Sequence, residues 1–354
     1  MRKCVKSTLY KAFEQCSDSI NFGNSIYVID GGYLLHRVVW NHMESFASIC
    51  NNYIEFVRIY YKSNAVIVFD GYPEDANKST KCAERLRRSR KHSSADVLFN
   101  DSIIPTISQE KFLANDRNKK RLIEMLTTKF LNAGFEVEQA EEDADRLIVI
   151  TAISKLSEFD SVIIIGEDID LLVLLTALAS NNQNIYLLKP GKGKIEQQIY
   201  SSTSLQVDKS VAENIAFVHA FSGCDSTSAL FNQGKIKLLN ILKQNTQLNE
   251  IVEIFREENA DSHNISEAGE RVLAALYGYS DDVRSLNDIR YYCFTRSVYK
   301  TKFNLASLPP TEDAARQHSF RTYYQESTAI VRIHKKSRKM GMEKEQHRIN
   351  AIPH

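Results

Sequence analysis

One stretch of the chain, residues 161–175 (SVIIIGEDIDLLVLL), constrains the fold more than any other. Four apolar residues, Val162 to Ile165, lead into Glu167, Asp168 and Asp170, and a second apolar run, Leu171 to Leu175, follows at once. A run this short and this apolar predicts a strand covered on both faces, as in a parallel sheet with helices above and below. Charges placed directly at the end of such a strand are costly to bury alone. Clustered carboxylates ordinarily take a divalent cation as partner.

Two earlier runs end the same way. Residues 25–30 (SIYVID) stop at Asp30-Gly31-Gly32, and residues 65–69 (AVIVF) stop at Asp70-Gly71. Between them Leu34, Leu35, Val38, Val39, Phe46, Ile49, Ile54 and Val57 recur at helical spacing, which predicts one long helix or two short ones. The order β-α-β implies a parallel pair joined by a helical crossover. Residues 119–133 predict an amphipathic helix with Leu122, Ile123, Leu126, Phe130 and Leu131 on its inner side, and a short strand follows at 135–137. Acidic residues 141–145 then open a helix through Ile153 that is expected to bury Leu147, Ile148 and Ile150; acids suit a helix start because of the macrodipole. A helix from Leu171 to Ala179 and a strand-like run at 184–189 complete the alternation. From residue 209 the pattern is helical, broken by Ser222-Gly223-Cys224-Asp225, Gln233-Gly234 and Pro309-Pro310. The expected architecture is an α/β core with a mostly parallel central sheet at 25–200, after a polar lead-in at 1–24. A helical region at 201–330 and a polar basic tail at 331–354 follow.

The chain has 354 residues and a formal net charge of +1, so any affinity for nucleic acid must come from a local patch. Residues 77–92 (NKSTKCAERLRRSRKH) supply one: Lys78, Lys81, Arg85, Arg87, Arg88, Arg90 and Lys91 stand against Glu84 alone. By itself such a run is as often a solvated helix face; beside a metal site it becomes a candidate phosphate clamp. Six cysteines are scattered without a CxxC pair, which argues against a zinc ribbon or a disulfide framework and for reduced thiols in an intracellular protein. No apolar run reaches the length of a membrane span, and the N-terminal residues lack the apolar core of a signal peptide.

An aspartate after a strand is ordinarily a turn residue or a helix N-cap, and that reading suffices for Asp30 or Asp70 taken singly. The pair Asp168 and Asp170 between two apolar runs is harder to dismiss. In an open parallel sheet the ligand site lies outside the carboxyl ends of the strands, so Asp30, Asp70, Asp168 and Asp170 are expected on one edge. The helix opened by Asp143 and Asp145 should start there too. Oxygen-only ligation suits Mg²⁺ or Mn²⁺, and two such ions about 3.5–4 Å apart can cleave a phosphodiester. Aspartyl-phosphate enzymes also use carboxylates at strand ends, but no DxDxT/V nucleophile motif is present.

At these residues the chain resembles the flap endonuclease-like 5′ nucleases, which have a PIN-like three-layer core. The resemblance runs from about residue 25 to 242. It rests on Asp30 in VIDGG, on Phe69-Asp70-Gly71 followed by Lys78 and Arg85, on Asp143-Ala144-Asp145 in place of an EAEA-type pair, on Glu167-Asp168-Ile169-Asp170-Leu171, and on Gly223-Cys224-Asp225. It implies a two-metal site held by Asp30, Asp70, Asp143, Asp145, Asp168, Asp170 and Asp225, with Lys78 and Arg85 on the scissile phosphate. It further implies nucleic-acid contacts from Lys81, Arg87 and Arg88, and a helix-hairpin-helix-like element near 214–242 that grips duplex backbone through Lys235 and Lys237. The implied activity is structure-directed endo- or 5′-exonucleolytic cleavage of DNA, less readily RNA, with Mg²⁺ or Mn²⁺, no membrane partner and a nuclear location. The family's Met-Gly start is not matched by MRKCVKST, and residues 231–235 (FNQGK) are a thin version of its hairpin. The C-terminal pattern is similar to that of divergent, asteroid-like members, for which a scaffold without catalysis is the alternative.

Overall fold

The computed structural model describes residues 5–16, 23–72, 94–179, 184–279, 285–299 and 303–327. The chain divides into two compact units: Glu14–Leu175 with Asn181–Ser204, and Met1–Phe13, Thr176–Ser180 with Leu205–His354. Among the described residues, no helix is long and apolar enough to cross a membrane.

The first unit is built on a sheet. In chain order it runs β1 (Ser25–Asp30), α1 (Gly31–Arg37), α2 (Phe46–Tyr61), β2 (Ala65–Phe69), α3 (Gln109–Leu113), α4 (Asp116–Asn132), β3 (Glu136–Gln139), α5 (Ala144–Lys155), β4 (Ser161–Ile165), α6 (Ile169–Leu178), β5 (Ile185–Lys189) and β6 (Gln198–Ser201). The strand order is β3-β2-β1-β4-β5-β6. All pairs are parallel except β5 with β6. This mostly parallel α/β core has the fold class expected from the sequence. β2 and β4 are buried at every position, as strands covered on both faces must be. Ile29, Ile67, Phe69, Ile163 and Ile165 join one core with Phe46, Tyr53, Phe112, Leu122, Leu126 and Phe130. The alternate residues Val28, Val66, Val68, Val162 and Ile164 are fully buried as well, and α5 packs across β1, β2 and β4.

Three local expectations are corrected. Leu131 is 54 % exposed, because the inner stripe of α4 ends with Phe130. In α5 the buried apolar residues are Ala144, Ile148, Val149 and Ala152; Leu147 and Ile150 are half-buried, since the helix begins at Ala144 and turns a different stripe inward. Val39 lies beyond the end of α1 and is 72 % exposed.

At the end of β2 the chain makes a close crossing. Gly71 donates its N–H to the Glu142 carbonyl at 3.0 Å, and Ala140 donates to Phe69 at 2.9 Å. A Cβ on Gly71 would stand 2.1 Å from the Ala140 oxygen and 2.2 Å from the Glu141 oxygen, both backbone atoms that cannot swing aside. Glycine is therefore required here for space.

The second unit is helical: a 3₁₀ turn at Lys6–Ala12, then α7 (Lys209–Glu213), α8 (Ile215–Phe221), α9 (Lys235–Gln244), α10 (Thr246–Ile251), α11 (Ser262–Leu276), α12 (Leu286–Ser297) and α13 (Glu312–Glu326). Residues 222–234 join α8 to α9. Lys235, expected to grip duplex backbone, is instead fully buried. Its Nζ donates to the carbonyls of His219 and Gly223, each at 2.7 Å, and to Ser222 Oγ at 3.2 Å. These lie at the C-terminal end of α8, where helix carbonyls lack intrahelical partners and the dipole favours a cation. Lys235 is thus a structural cap. Lys237 is exposed as a residue, yet its ammonium reaches Gln233 Oε1 at 2.7 Å and the Leu276 carbonyl at 2.6 Å.

Two outcomes test these assignments. Gly71→Ala is expected to lower stability by about 3 kcal/mol, because overpacking against backbone must be relieved by separating β2 from residues 140–142; urea unfolding midpoints measure it. Lys235→Met is expected to cost a similar amount, about 3 kcal/mol, because it strands three buried acceptors. A thermal melt of Lys235→Met that matches the parent protein would remove its capping role.

Candidate metal centre

Strand register brings the aspartates to one edge. Asp30 pairs across from Val68 on β2, and Ile29 pairs with Ile165 on β4. Asp30 therefore stands level with Gly166, just past the end of β4, and Asp70 follows two residues beyond Val68. The chain moves outward from β1 to β2 to β3 and then restarts on the other side of β1 with β4. The crevice between β1 and β4 is the topological switch point, where sheets of this kind bind ligands. Asp30 closes one of these strands, and Asp168 and Asp170 follow the other.

Each of three carboxylates also holds a helix start. Asp30 Oδ1 accepts the Gly32 N–H at 2.8 Å, capping α1. Asp168 Oδ1 accepts the Asp170 N–H at 3.1 Å in the first turn of α6. Asp70 Oδ1 accepts the Ala144 N–H at 3.0 Å, so it reaches across from β2 to the first turn of α5. The N-terminal ends of these helices are partial positive charges, which lowers the cost of crowding acids there. Gly166 stands beside Asp30: a Cβ on it would lie in ordinary contact with the Asp30 side chain, at 3.6 Å from Cβ and 3.7 Å from Oδ2, and its close approach would be to Leu171 Cδ1 at 2.4 Å.

Asp30 carries the strain of this arrangement. Its carboxyl is pushed up to about 7, first by burial and then by the charge on Asp70; the N–H groups of Gly32 and Tyr33 pull it down, and Asp168 pushes it further up. Its residue is only half-buried overall, while the carboxyl itself points into the protein. Asp143, at the N-cap of α5, is exposed and makes no capping bond with its side chain; Asp145, in the first turn, is half-buried.

The donors fit a hard divalent cation in kind, since every candidate is an oxygen. Among the described residues, no group of three or more His, Cys, Asp or Glu side chains is placed to hold a metal ion by itself. Mg²⁺ does not ask for one: it takes one or two carboxylates directly and keeps several waters. Asp30 feels the charges of both Asp70 and Asp168, so these are the carboxylates that such an ion would draw on.

Asp225 belongs to the helical unit, in the loop between α8 and α9, where it pairs with Lys6 at 3.0 Å. Lys78, Lys81, Arg85, Arg87 and Arg88 lie outside the described residues. Two residues unmarked by any motif join the site's electrostatics. His36, in the last turn of α1, is held below its usual range by burial and by Lys119, against the opposing pull of Glu167 and Glu110. Tyr33 is pushed up by burial, sits 3.4 Å from the Tyr61 hydroxyl and feels both Glu167 and Asp30. No spacing rule would have selected them; only the fold brings α1 and α4 to Glu167.

The titration of Asp30 sets a testable sign. The folded protein holds this proton up to about pH 7, whereas an unfolded aspartate releases it near pH 4. The folded state binds the extra proton, so metal-free protein is expected to lose stability as pH rises from about 4 through 7. Asp30→Asn keeps the capping oxygen and should flatten that decline, melting several degrees above the parent at pH 8 in chelator. Added Mg²⁺ should raise the melting temperature of the parent and not of the variant.

No protein-family model matches the chain, and no curated protein matches it. Among solved structures it is similar to the catalytic core of Rad2 in complex with DNA substrate, at 12 % identity over 92 % of this chain and 98 % of that one, TM-score 0.43. It is similar to the T5 D15 protein co-crystallized with metal ions, at 13 % identity over 86 % and 91 %, TM-score 0.46. A bacteriophage T5 D15 flap endonuclease complex with DNA and metal ions is similar at 15 % identity over 85 % and 99 %, TM-score 0.44. The chemistry of the present site rests on its own residues.

Proposed function

We propose that this chain is a divalent-metal-dependent nuclease of the flap endonuclease-like kind, hydrolysing DNA phosphodiester bonds at the switch point of its sheet. The observation that carries this reading is Asp30: a carboxyl buried between β1 and β4 and pushed up to about 7, in part by two further carboxylates, Asp70 and Asp168. A fold retains such a repulsive set when a cation is to be held there. The ordered motifs VIDGG, FDG, DAD and EDxD support the same assignment.

Asp30, Asp70, Asp168 and Asp170 would hold the ions, with Asp143 and Asp145 acting from the start of α5. Bound Mg²⁺ or Mn²⁺, two per site, would supply an acidified water and charge stabilisation at the leaving oxygen. The protein's own contribution is orientation. The capping bonds of Asp30, Asp70 and Asp168 set each carboxylate relative to the sheet before any ligand arrives, which avoids reorganisation during reaction. Asp30 must give up its proton to serve as a ligand, so cation binding and activity should both rise with pH through about 7. Lys78 and Arg85 would neutralise the non-bridging phosphate oxygens.

A catalytically idle scaffold that binds nucleic acid or protein is the second reading. Its specific support is Asp225, whose carboxylate already has Lys6 as a cationic partner. An aspartyl-phosphate enzyme would leave Asp143 and Asp145 without a role.

The test is cleavage of end-labelled single-stranded, duplex and 5′-flap DNA in Mg²⁺, Mn²⁺ or chelator. Asp168→Asn and Asp170→Asn are the controls; asparagine at 168 keeps the capping oxygen, so unfolding cannot imitate a loss of chemistry. Metal-dependent cutting that falls about a hundredfold or more in both variants, with unchanged melting, is the expected result. Cutting at parental rates by both variants would sink the proposal, and binding without cutting in the parent would establish the scaffold.

A further inference from the structure

We propose that Glu326, in the last turn of α13, is a pH switch built into the helical unit: as a neutral acid it lets α13 dock, and on ionising it frees the end of that helix and the loop 222–234 fastened to it. The inference goes beyond the nuclease reading and needs neither the metal centre nor catalysis.

Other polar side chains dock α13 with their bonds made. His318 Nε2 lies 2.8 Å from the Phe221 carbonyl at the end of α8, and the Gln325 side chain accepts from Ser226 Oγ, in the loop, at 2.6 Å. Tyr323 donates its hydroxyl to the Glu257 carbonyl at 2.9 Å and accepts the Ala260 N–H at 3.1 Å. Glu326 is different. It is 1 % exposed, and neither carboxyl oxygen has a hydrogen-bond partner. A carboxylate there would have lost its hydration and gained no donor, so the docked helix must carry the protonated acid.

The surrounding charges leave that conclusion standing. α13 packs on α8, on α11 and on a 3₁₀ turn at Val252–Arg256. α8 brings His219, and the loop after it brings Asp225. Ala260, just before α11, meets Tyr323, while Glu270 further on feels Glu312; α11 therefore runs against α13 and offers its end the exposed His263 and Glu267. The turn brings Glu253 and Arg256, with the exposed Glu257 and Glu258 just after it. Among these described groups Arg256 is the one felt at Glu326, and its pull falls short of the effect of burial, which pushes the carboxyl up to about 8. The guanidinium directs its ends elsewhere, to Glu213 at 3.4 Å and Glu253 at 3.5 Å, and its buried Nε has no partner. On α13 itself His318 is held below its usual range, chiefly by burial, so the helix docks with acid and imidazole both neutral.

The docked state keeps the Glu326 proton up to about pH 8. An exposed glutamate releases it at about 4.3. Opening is therefore favoured as pH rises across that window, about tenfold per pH unit, and the gain levels off beyond it. His318 acts in the opposite sense, since its undocked form binds the extra proton. Glu326→Gln isolates the acid, because it keeps the shape of the neutral carboxyl and leaves His318 in place.

The experiment is hydrogen exchange of the full chain, followed by mass spectrometry on peptides from α13 and from 222–234 and corrected for the intrinsic pH dependence of exchange. Between about pH 6 and 7.5, opening of both segments in the parent is expected to rise about twentyfold relative to Glu326→Gln. Carbon NMR of the parent alone should show a glutamate carboxyl titrating at about 8 that the variant lacks. Parallel exchange profiles in parent and variant would overturn the proposal. So would a rise in α13 that leaves 222–234 unmoved, or a parent spectrum without that titration.

Discussion

The structure depends on a single electrostatic problem: several carboxylates crowd the same sheet edge, and the fold must make that bearable. Its solution is to aim helix N-termini at them. Asp30, Asp70 and Asp168 each accept a backbone N–H from the first turn of a helix, α1, α5 and α6 respectively. Caps of this kind are each worth about 0.5–2 kcal/mol, and the macrodipole adds to them. That suffices to keep acids at the edge but not to offset the burial of the Asp30 carboxyl and, after it, the charges of Asp70 and Asp168, which is why Asp30 still holds its proton so high.

The same logic appears with opposite sign in the helical unit. There a buried cation, Lys235, meets the C-terminal carbonyls of α8, the negative end of a helix. Burying an ammonium is expensive unless its donors are used, and Lys235 uses them on three acceptors of one turn. The loop from 222 to 234, which also bears Asp225, is thereby anchored to the helices on either side of it.

Much of the core was legible because burial on both faces leaves an unmistakable composition. AVIVF and SVIII could hardly be anything but central strands, and the aspartate that ends each run marks the edge. β3 was legible only as a fragment, since EVEQ is an edge strand with no fully buried position. β6 was missed: four residues, QIYS, pairing antiparallel with β5, carry too little periodicity to register. Lys235 was misread because a lysine in a basic, glycine-flanked segment looks solvated, and nothing local reveals that it turns inward. His36 and Lys119 could not be read at all, being distant in sequence and ordinary in setting. Asp225 was legible as a motif but not as the partner of Lys6.

The choice posed by sequence, helix cap or metal ligand, is a false opposition at this edge. An ionised carboxylate has acceptor capacity for several donors, so a capping bond through one oxygen leaves the group able to bind a cation as well. The cap also does what a ligand site needs, because it fixes the side-chain rotamer relative to a rigid element before the ion arrives. Asp70 shows the point best. Its bond to Ala144 ties the end of β2 to the start of α5, and that same bond carries Asp143 and Asp145 to the edge where Asp30 and Asp168 already stand. The crossing at Gly71 lets these backbones approach closely enough for the bond to form. Glycine, aspartate and helix start therefore form one device, in which the residues that close the fold are those that define the site.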